Sequence, residues 1–450
     1  MGGSVTLPIW LFGLILLFAV ITFASHFLFP SVRWFLRRRA ERLVSRLNER
    51  LDRPIEPFKL ARRYDTIQRL IYDPEVTQAV VEHAAEEGLR EDVAFEEARG
   101  YAAEIVPSFS ATAYFRFGIR AAKWLSRALY RVRLAHYDEA LSAVGPDTTV
   151  VFVMNHRSNM DYVLVTYLSA ERSALSYAVG EWARVWPLSR LIKSMGAYFI
   201  RRKSRNPLYR KVLARYVQMA TAGGVTQAIF PEGGLSLDGR TAPPKMGLLN
   251  YVTAGADLGT RDVVFVPVAL NYDRVLEDRI LMAAGVSGER RFRAKISVVA
   301  GFALKQLWLR LTRRFYRFGY AAVSFGEPLS LASMQDASTK DVARVLMQRI
   351  RDVIPVLPVA LVALALKRGA TTRDEIAAFA DRLRAAAPRA HVHLPRDDVS
   401  YAVDVGLRML ILREAVADGD TLTITDAPLL DFYAASIEHF LSEPSAEPDK

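Results

Sequence analysis

A histidine and an aspartate five positions apart, His156 and Asp161, follow an apolar run in the stretch FVMNHRSNMDY (152–162). An imidazole whose second nitrogen is held by a carboxylate is the usual form of a general base. On its own an H-x-x-x-x-D pattern is a weak signal. Its setting raises its value, because TTVVFVM (148–154) reads as a buried strand and open α/β sheets place ligands at strand carboxyl ends. Two residues five apart do not share a helix face. A turn followed by a helix start, with Ser158 or Asn159 as its cap, returns the carboxylate to the ring. The chain has no cysteine, which excludes disulfides, thiolate metal sites and a cysteine nucleophile. A serine in an elbow motif is also missing, so the base is expected to act directly on a substrate hydroxyl.

Three further segments end at predicted strand termini. GAYFIRR (196–202) finishes in Arg201 and Arg202, a guanidinium pair suited to a phosphate or, in the plainer reading, to solvent. FPEGG (230–234) puts Glu232 on a tight turn between Pro231 and two glycines, where a backbone can approach a ligand closely. FVPVALNYD (265–273) carries Pro267 inside a strand, which requires distortion or an edge position.

The elements that must position these residues are strands alternating with helical stretches. Strands are expected within 148–154, 195–202, 225–234, 261–273 and 321–331, giving an α/β domain with a central sheet over residues 141–332. Residues 33–140 read as helical, with a break near Gly88. Between Tyr114 and Leu134 the basic residues Arg116, Arg120, Lys123, Arg127 and Arg131 recur at helical steps, with Phe117, Ala121, Trp124, Leu125, Ala128, Leu129 and Val132 opposite. That stripe fits either an ordinary surface helix or one lying on anionic headgroups. Residues 290–320 interleave arginine with aromatics. Residues 333–450 read as a helical C-terminal region and a tail. Within it, Pro355 and Pro358 open a buried core helix and Thr372-x-x-Glu375 is a capping box.

The chain has 450 residues, half of them hydrophobic, and a formal charge of +12. A basic surplus suits nucleic acid, anionic lipid or phosphate-bearing substrates and does not choose among them. The amino terminus narrows the choice. No residue from Met1 to Val32 carries a formal charge, and Leu7–Phe29 is almost wholly apolar. At about 1.5 Å per residue this run can span a hydrocarbon core of about 30 Å. Arg33, Arg37, Arg38, Arg39 and Arg42 follow it, which places the body of the chain on the cytoplasmic side. The expectation is a single-pass anchor over residues 1–32, in a cell inner membrane, with membrane lipid rather than nucleic acid as partner. Arginine-rich segments alone would fit single-stranded nucleic acid; the anchor and the ordered motifs do not.

Taken in order and spacing, the four segments around His156, Arg201, Glu232 and Pro267 resemble the four blocks of the glycerolipid acyltransferase superfamily. The arginine after the histidine, GAYFIRR, and the ending AVSFGEPLSL are most similar to its bacterial glycerol-3-phosphate acyltransferase branch. The similarity runs over roughly residues 60–370. It implies an αβ-sandwich acyltransferase domain with a mixed central sheet, flanked by helical N- and C-terminal regions and an N-terminal transmembrane helix. It also implies transfer of a fatty acyl group from acyl-CoA or acyl carrier protein to the sn-1 hydroxyl of glycerol 3-phosphate, the first step of phospholipid synthesis. His156 would be the base and Asp161 its orienting partner. Arg157, Ser158 and Arg201 would contact the substrate, and Glu232 with Gly233 would position the glycerol. The thioester is already activated, so neither metal nor bound cofactor is required. The oxyanion is expected to meet backbone N–H groups near the turn after the strand. One departure is visible. Where the branch carries arginines after F-x-E-G, this chain has EGGLSLDGR, with Leu235 and Leu237 in their places and Arg240 and Lys245 as substitutes a few residues on. That departure keeps open acylation of lysophosphatidate or another lysolipid at sn-2.

Overall fold

The computed structural model describes residues 8–51, 53–169, 173–180, 188–201, 204–288, 308, 312 and 317–441. The expected element over 290–320, the tail after Leu441 and Arg202 lie almost wholly or wholly outside them. Contacts divide the chain into two compact units, Met1–Ile55 and Glu56–Lys450.

The first unit is dominated by one helix, Ile9–Asn48. Its early apolar residues, among them Trp10, Phe12, Leu16 and Phe18, are exposed. Among the described residues no helix is long and apolar enough to cross a membrane. The expected transmembrane helix is therefore not found as such. The apolar run continues into residues 23–29, whose side chains lie outside the described set.

The second unit is built on an eight-stranded mixed sheet, comprising β1 (Arg131–Ala135), β2 (Thr149–Met154), β3 (Ser176–Val179), β4 (Tyr198–Phe199), β5 (Gln227–Ile229), β6 (Val263–Tyr272), β7 (Tyr320–Phe325) and β8 (Leu329–Ser330). The order is β1-β7-β6-β2-β5-β3-β4, with β8 also paired to β6. β6, β2, β5, β3 and β4 are mutually parallel, while β7 and β8 run antiparallel to β6. The carboxyl ends of β2, β4, β5 and β6 therefore share one edge. β2 and β6 are buried along their whole length, as strands in the middle of a covered sheet must be.

Pro267 sits in a central strand, not at an edge. It lies opposite Val153 of β2, and its carbonyl accepts from Gly326 N at 2.8 Å on the other side. That other side is where the partner of β6 changes from β7, which pairs with Val268–Tyr272, to β8, which pairs with Val264 and Phe265. A residue without an N–H fits there because no ladder hydrogen bond is needed from it.

The predicted basic helix is shorter than expected. A π-helical turn, Ala113–Gly118, leads into the helix Ile119–Leu129, and Arg131 belongs to β1. The wide turn shifts the facing of the side chains before it. Ala122, Ser126 and Leu129 form the buried stripe, and the helix packs there against Met160–Ser169. Phe117 and Trp124, expected opposite the cations, are exposed beside Arg116, Arg120 and Arg127.

Towards the carboxyl end, Pro358 opens the helix Pro358–Lys367, which is buried from Pro358 through Leu366 and packs against Val399–Ile411 and Ala427–Ala434. Asp273, at the end of β6, receives the Val359 and Tyr320 N–H groups at 2.9 and 2.7 Å, so the sheet itself caps that helix. The capping box of Thr372 and Glu375 is present.

Candidate active site

β2 ends at Met154, and Asn155 continues its pairing with a side chain instead of backbone. The Asn155 amide donates to Leu270 O at 3.0 Å, and its oxygen accepts from Leu270 N at 2.7 Å. The chain can thus leave the sheet without orphaning buried groups of β6. It turns through residues 155–159 and enters the helix Met160–Ser169, which makes Asp161 a first-turn residue.

The His156 ring and the Asp161 carboxylate meet as expected, with Nδ1 2.8 Å from Oδ2. Both are buried, at 2% and 0% exposure. Oδ2 also accepts from the N–H groups of Arg157 (2.7 Å) and Ser158 (3.0 Å), and Oδ1 accepts from the Tyr272 hydroxyl at 2.5 Å. A carboxylate receiving four donors is acceptor-only, so Nδ1 carries the proton and Nε2 presents a lone pair. Around the ring, Phe230 lies 4.2 Å away centroid to centroid and Tyr162 meets it edge-on at 5.3 Å. The Tyr162 hydroxyl is 3.5 Å from Nε2, a distance at which a hydrogen bond is weak.

Glu232 lies in the turn after β5, where Gly233 N bonds Phe230 O at 3.0 Å. Pro231 supplies the fixed φ such a turn favours. Gly233 has φ +68°, and a Cβ there would fall 2.7 Å from the Lys245 side chain. Both Glu232 oxygens are engaged on backbone, Oε1 by His156 N at 3.0 Å and Oε2 by Ala242 N at 2.9 Å. Burial pushes this carboxyl up to about 7, against the pull of those two N–H groups and of Arg157. Glu232 therefore ties the loop after β2 to the loop after β5.

Arg157 is 3% exposed. Its Nη1 donates to Gly239 O, its guanidinium lies 5.3 Å from the Phe432 ring, and its Nε and Nη2 have no hydrogen-bond partner among the described residues. Burial lowers its proton affinity, while Glu232, Tyr433, Asp161 and Asp238 act the other way. Two unmet donors on a buried cation are costly unless something anionic completes them. Gly239 is required here, since its φ is +88° and a Cβ would collide with Phe432 O.

The remaining predicted contacts are placed otherwise. The Ser158 hydroxyl donates to Glu277 Oε2 at 2.7 Å and accepts from Met160 N at 3.1 Å. Arg201, after β4, pairs with Glu104 through Nε (3.0 Å) and Nη2 (2.6 Å), flanked by the rings of Tyr101 and Tyr209. It stands three strand spacings from β2, roughly 14 Å, so the structure does not bring it to the dyad. Arg240 binds Glu438 at 2.9 Å and lies 3.7 Å from Asp238. Lys245 is an exposed residue preceding the helix Met246–Ala254. Leu235 and Leu237 pack on the core.

The expected oxyanion donors are not where the sequence puts them. The N–H groups of residues 156–161 are all committed, to Glu232, Asp161, Glu277 and Ser158. Sequence reasoning also misses Tyr272, Asn155 and Glu277, which tie the loop to β6 and the turn beyond it. For Tyr272 the signal is polar residues at a buried strand's end, NYD (271–273). Among the described residues no cluster suited to a metal is found.

A buried imidazole–carboxylate pair at the open end of an α/β sheet, beside an arginine with unmet donors, is an arrangement suited to base-catalysed group transfer. Comparison with known proteins narrows that class. Residues 135–271 match the family described as Acyltransferase, and residues 306–446 match the glycerol-3-phosphate acyltransferase C-terminal region. A glycerol-3-phosphate acyltransferase of Aeromonas hydrophila is 30% identical over 86% of this chain and 51% of its own length. One from Pseudomonas putida is 28% identical over 91% and 52%. The chain is thus similar to bacterial glycerol-3-phosphate acyltransferases over most of its length, with the acyltransferase match and the C-terminal-region match following one another along it. It spans about half the length of the curated relatives it matches. Among solved structures, a 1-acyl-sn-glycerophosphate acyltransferase of Thermotoga maritima aligns with 57% of this chain and 79% of its own, at 18% identity and a TM-score of 0.34.

Proposed function

We propose that this chain transfers a fatty acyl group from a thioester, acyl-CoA or acyl carrier protein, to the sn-1 hydroxyl of glycerol 3-phosphate. The observation that carries the reading is the His156–Asp161 pair with Arg157 beside it, a base and a buried cation with two guanidinium nitrogens unpartnered among the described residues, in one loop. His156 Nε2 takes the hydroxyl proton as the oxygen attacks the thioester carbonyl. Asp161 balances the imidazolium. Collapse of the tetrahedral intermediate breaks the carbon–sulfur bond, and the imidazolium returns the proton to the leaving thiolate. Arg157 Nε and Nη2 take the acceptor phosphate, with Glu232 and Gly233 framing the glycerol.

The same reading puts the chain at an inner membrane, its body on the cytoplasmic side. The exposed apolar side chains of Ile9–Asn48 support it, as does the exposed face carrying Arg116, Arg120 and Arg127 with Phe117 and Trp124. The test is an assay of the full chain in membranes with labelled glycerol 3-phosphate or lysophosphatidate, and with each thioester donor. Transfer to glycerol 3-phosphate is expected, and His156→Ala should lower kcat by about a thousandfold. Full activity in that variant removes the base; preference for lysophosphatidate reassigns the acceptor.

A further inference from the structure

Three hydrogen-bonded ties run from β6 and the turn after it to the loop that carries the dyad: Leu270 to Asn155, Tyr272 to Asp161, and Glu277 to Ser158 and Asn159. The middle one is unlike the others in what it touches. Asp161 receives three donors on Oδ2, namely His156 Nδ1–H and two backbone N–H groups, and one on Oδ1, the Tyr272 hydroxyl. Turning the carboxylate about its last torsion, which has a broad, two-fold profile, moves both oxygens, so its setting is held by the donors on the two of them together. Of these four donors the Tyr272 hydroxyl is the one on Oδ1, and it resists that turn from the far side of the carboxylate.

We propose that Tyr272 is a positioning residue of the dyad: through Oδ1 it sets the plane of the Asp161 carboxylate and thereby the direction in which His156 Nε2 points. Tyr272 is fully buried. Its ring lies 5.4 Å from that of Tyr130, whose own hydroxyl is spent on Arg274 O at 2.7 Å. The phenol is pushed well above its usual value by burial first and by the facing Asp161 next, so it keeps its proton and donates. The strand that holds it is pinned beside the loop by the Asn155–Leu270 pair, two residues earlier. Reaching the base through a second element gives the imidazole a fixed aim that its own short loop does not supply.

This inference rests on His156 being the base, and the experiment separates the two. The full chain carrying Tyr272→Phe is compared with wild type for kcat and KM toward glycerol 3-phosphate, thermal midpoint, and the downfield His156 Nδ1–H resonance. The expected result is a ten- to hundredfold fall in kcat, KM within threefold of wild type, and a displaced resonance. Unchanged kcat, or activity lost only in proportion to folded protein with the resonance unmoved, overturns it. Should the variant not fold, 3-fluorotyrosine at position 272 keeps the shape and alters the donor; kcat must then move at least twofold at constant KM, and an unmoved kcat again overturns the proposal. A wild-type chain inert toward every acceptor defeats the acyl-transfer reading itself, whereas an active wild type with an indifferent Tyr272→Phe defeats only this one.

Discussion

Arg157, after β2, and Arg201, after β4, stand at the same edge of the sheet and in opposite conditions. Arg201 is partly exposed and complete, bidentate on Glu104 and flanked by two tyrosines. Arg157 is buried and incomplete, with one carbonyl, one aromatic face and two idle donors. An exposed ion pair contributes about 1 kcal/mol or less, so an anion can displace it at small cost. A buried cation left short of partners lowers stability, and it persists where that shortage serves a ligand. The difference separates an arginine whose charge the fold meets from one whose charge it leaves partly unmet.

The sharpest way to break that contrast is Arg157→Met. It should raise KM for glycerol 3-phosphate about ten- to a hundredfold, the loss of roughly 1.5–3 kcal/mol of charged hydrogen bonding, and leave the thermal midpoint level or higher. A lowered midpoint with KM intact would make Arg157 a strut instead. A second test concerns the tie between the two loops. Burial raises the Glu232 carboxyl from 4.5 to about 7. The native state then holds a proton that the unfolded chain releases, so this stabilisation is complete below about pH 4.5 and lost as pH climbs through 7. Glu232→Gln should remove a pH-dependent component on the order of 3 kcal/mol, read as a smaller gap between urea midpoints at pH 5 and pH 8. An unchanged gap would place the titration elsewhere, with Asp273, also raised to about 7, the next group to replace. The smallest effect belongs to Glu104→Gln. Breaking this pair should cost about 1 kcal/mol or less, read as a small fall in thermal midpoint with KM unmoved; a lowered KM would show instead that Arg201, once released, serves the acceptor.

Much of the frame around these arginines is legible in the sequence. The strand ending at Met154, the helix opened by Pro358, and the approach of His156 to Asp161 all follow from local pattern: β-branched runs, a proline with an apolar stretch, and a spacing that needs a turn. Two strands are not legible in that way. β1 hides inside a helical stripe because Arg131 continues a three-and-four rhythm, although RVRLA also alternates. β3 has four residues, too few for periodicity to speak. Partnerships over long separations leave no local trace at all. Nothing near Arg201 announces Glu104, ninety-seven positions earlier, and nothing near Arg157 announces Phe432. Such pairs are decided by topology, which a single sequence encodes only in aggregate. The commitment of every N–H between 156 and 161 is equally hidden, since most of the acceptors are side chains whose rotamers depend on the packed whole.

Phe432 over Arg157, Ser436 against Asn271 at 3.2 Å and Glu438 on Arg240 have a consequence for how the molecule comes into being. The dyad and its ties are encoded by Glu277, but the wall beside the idle arginine is encoded roughly 160 residues later. At about 5–20 residues per second, a ribosome takes some 8 to 30 s to cover that interval. For that time the residues of the dyad have been made and those that cover Arg157 have not. The cover over Arg157 is therefore encoded well after the dyad it stands beside.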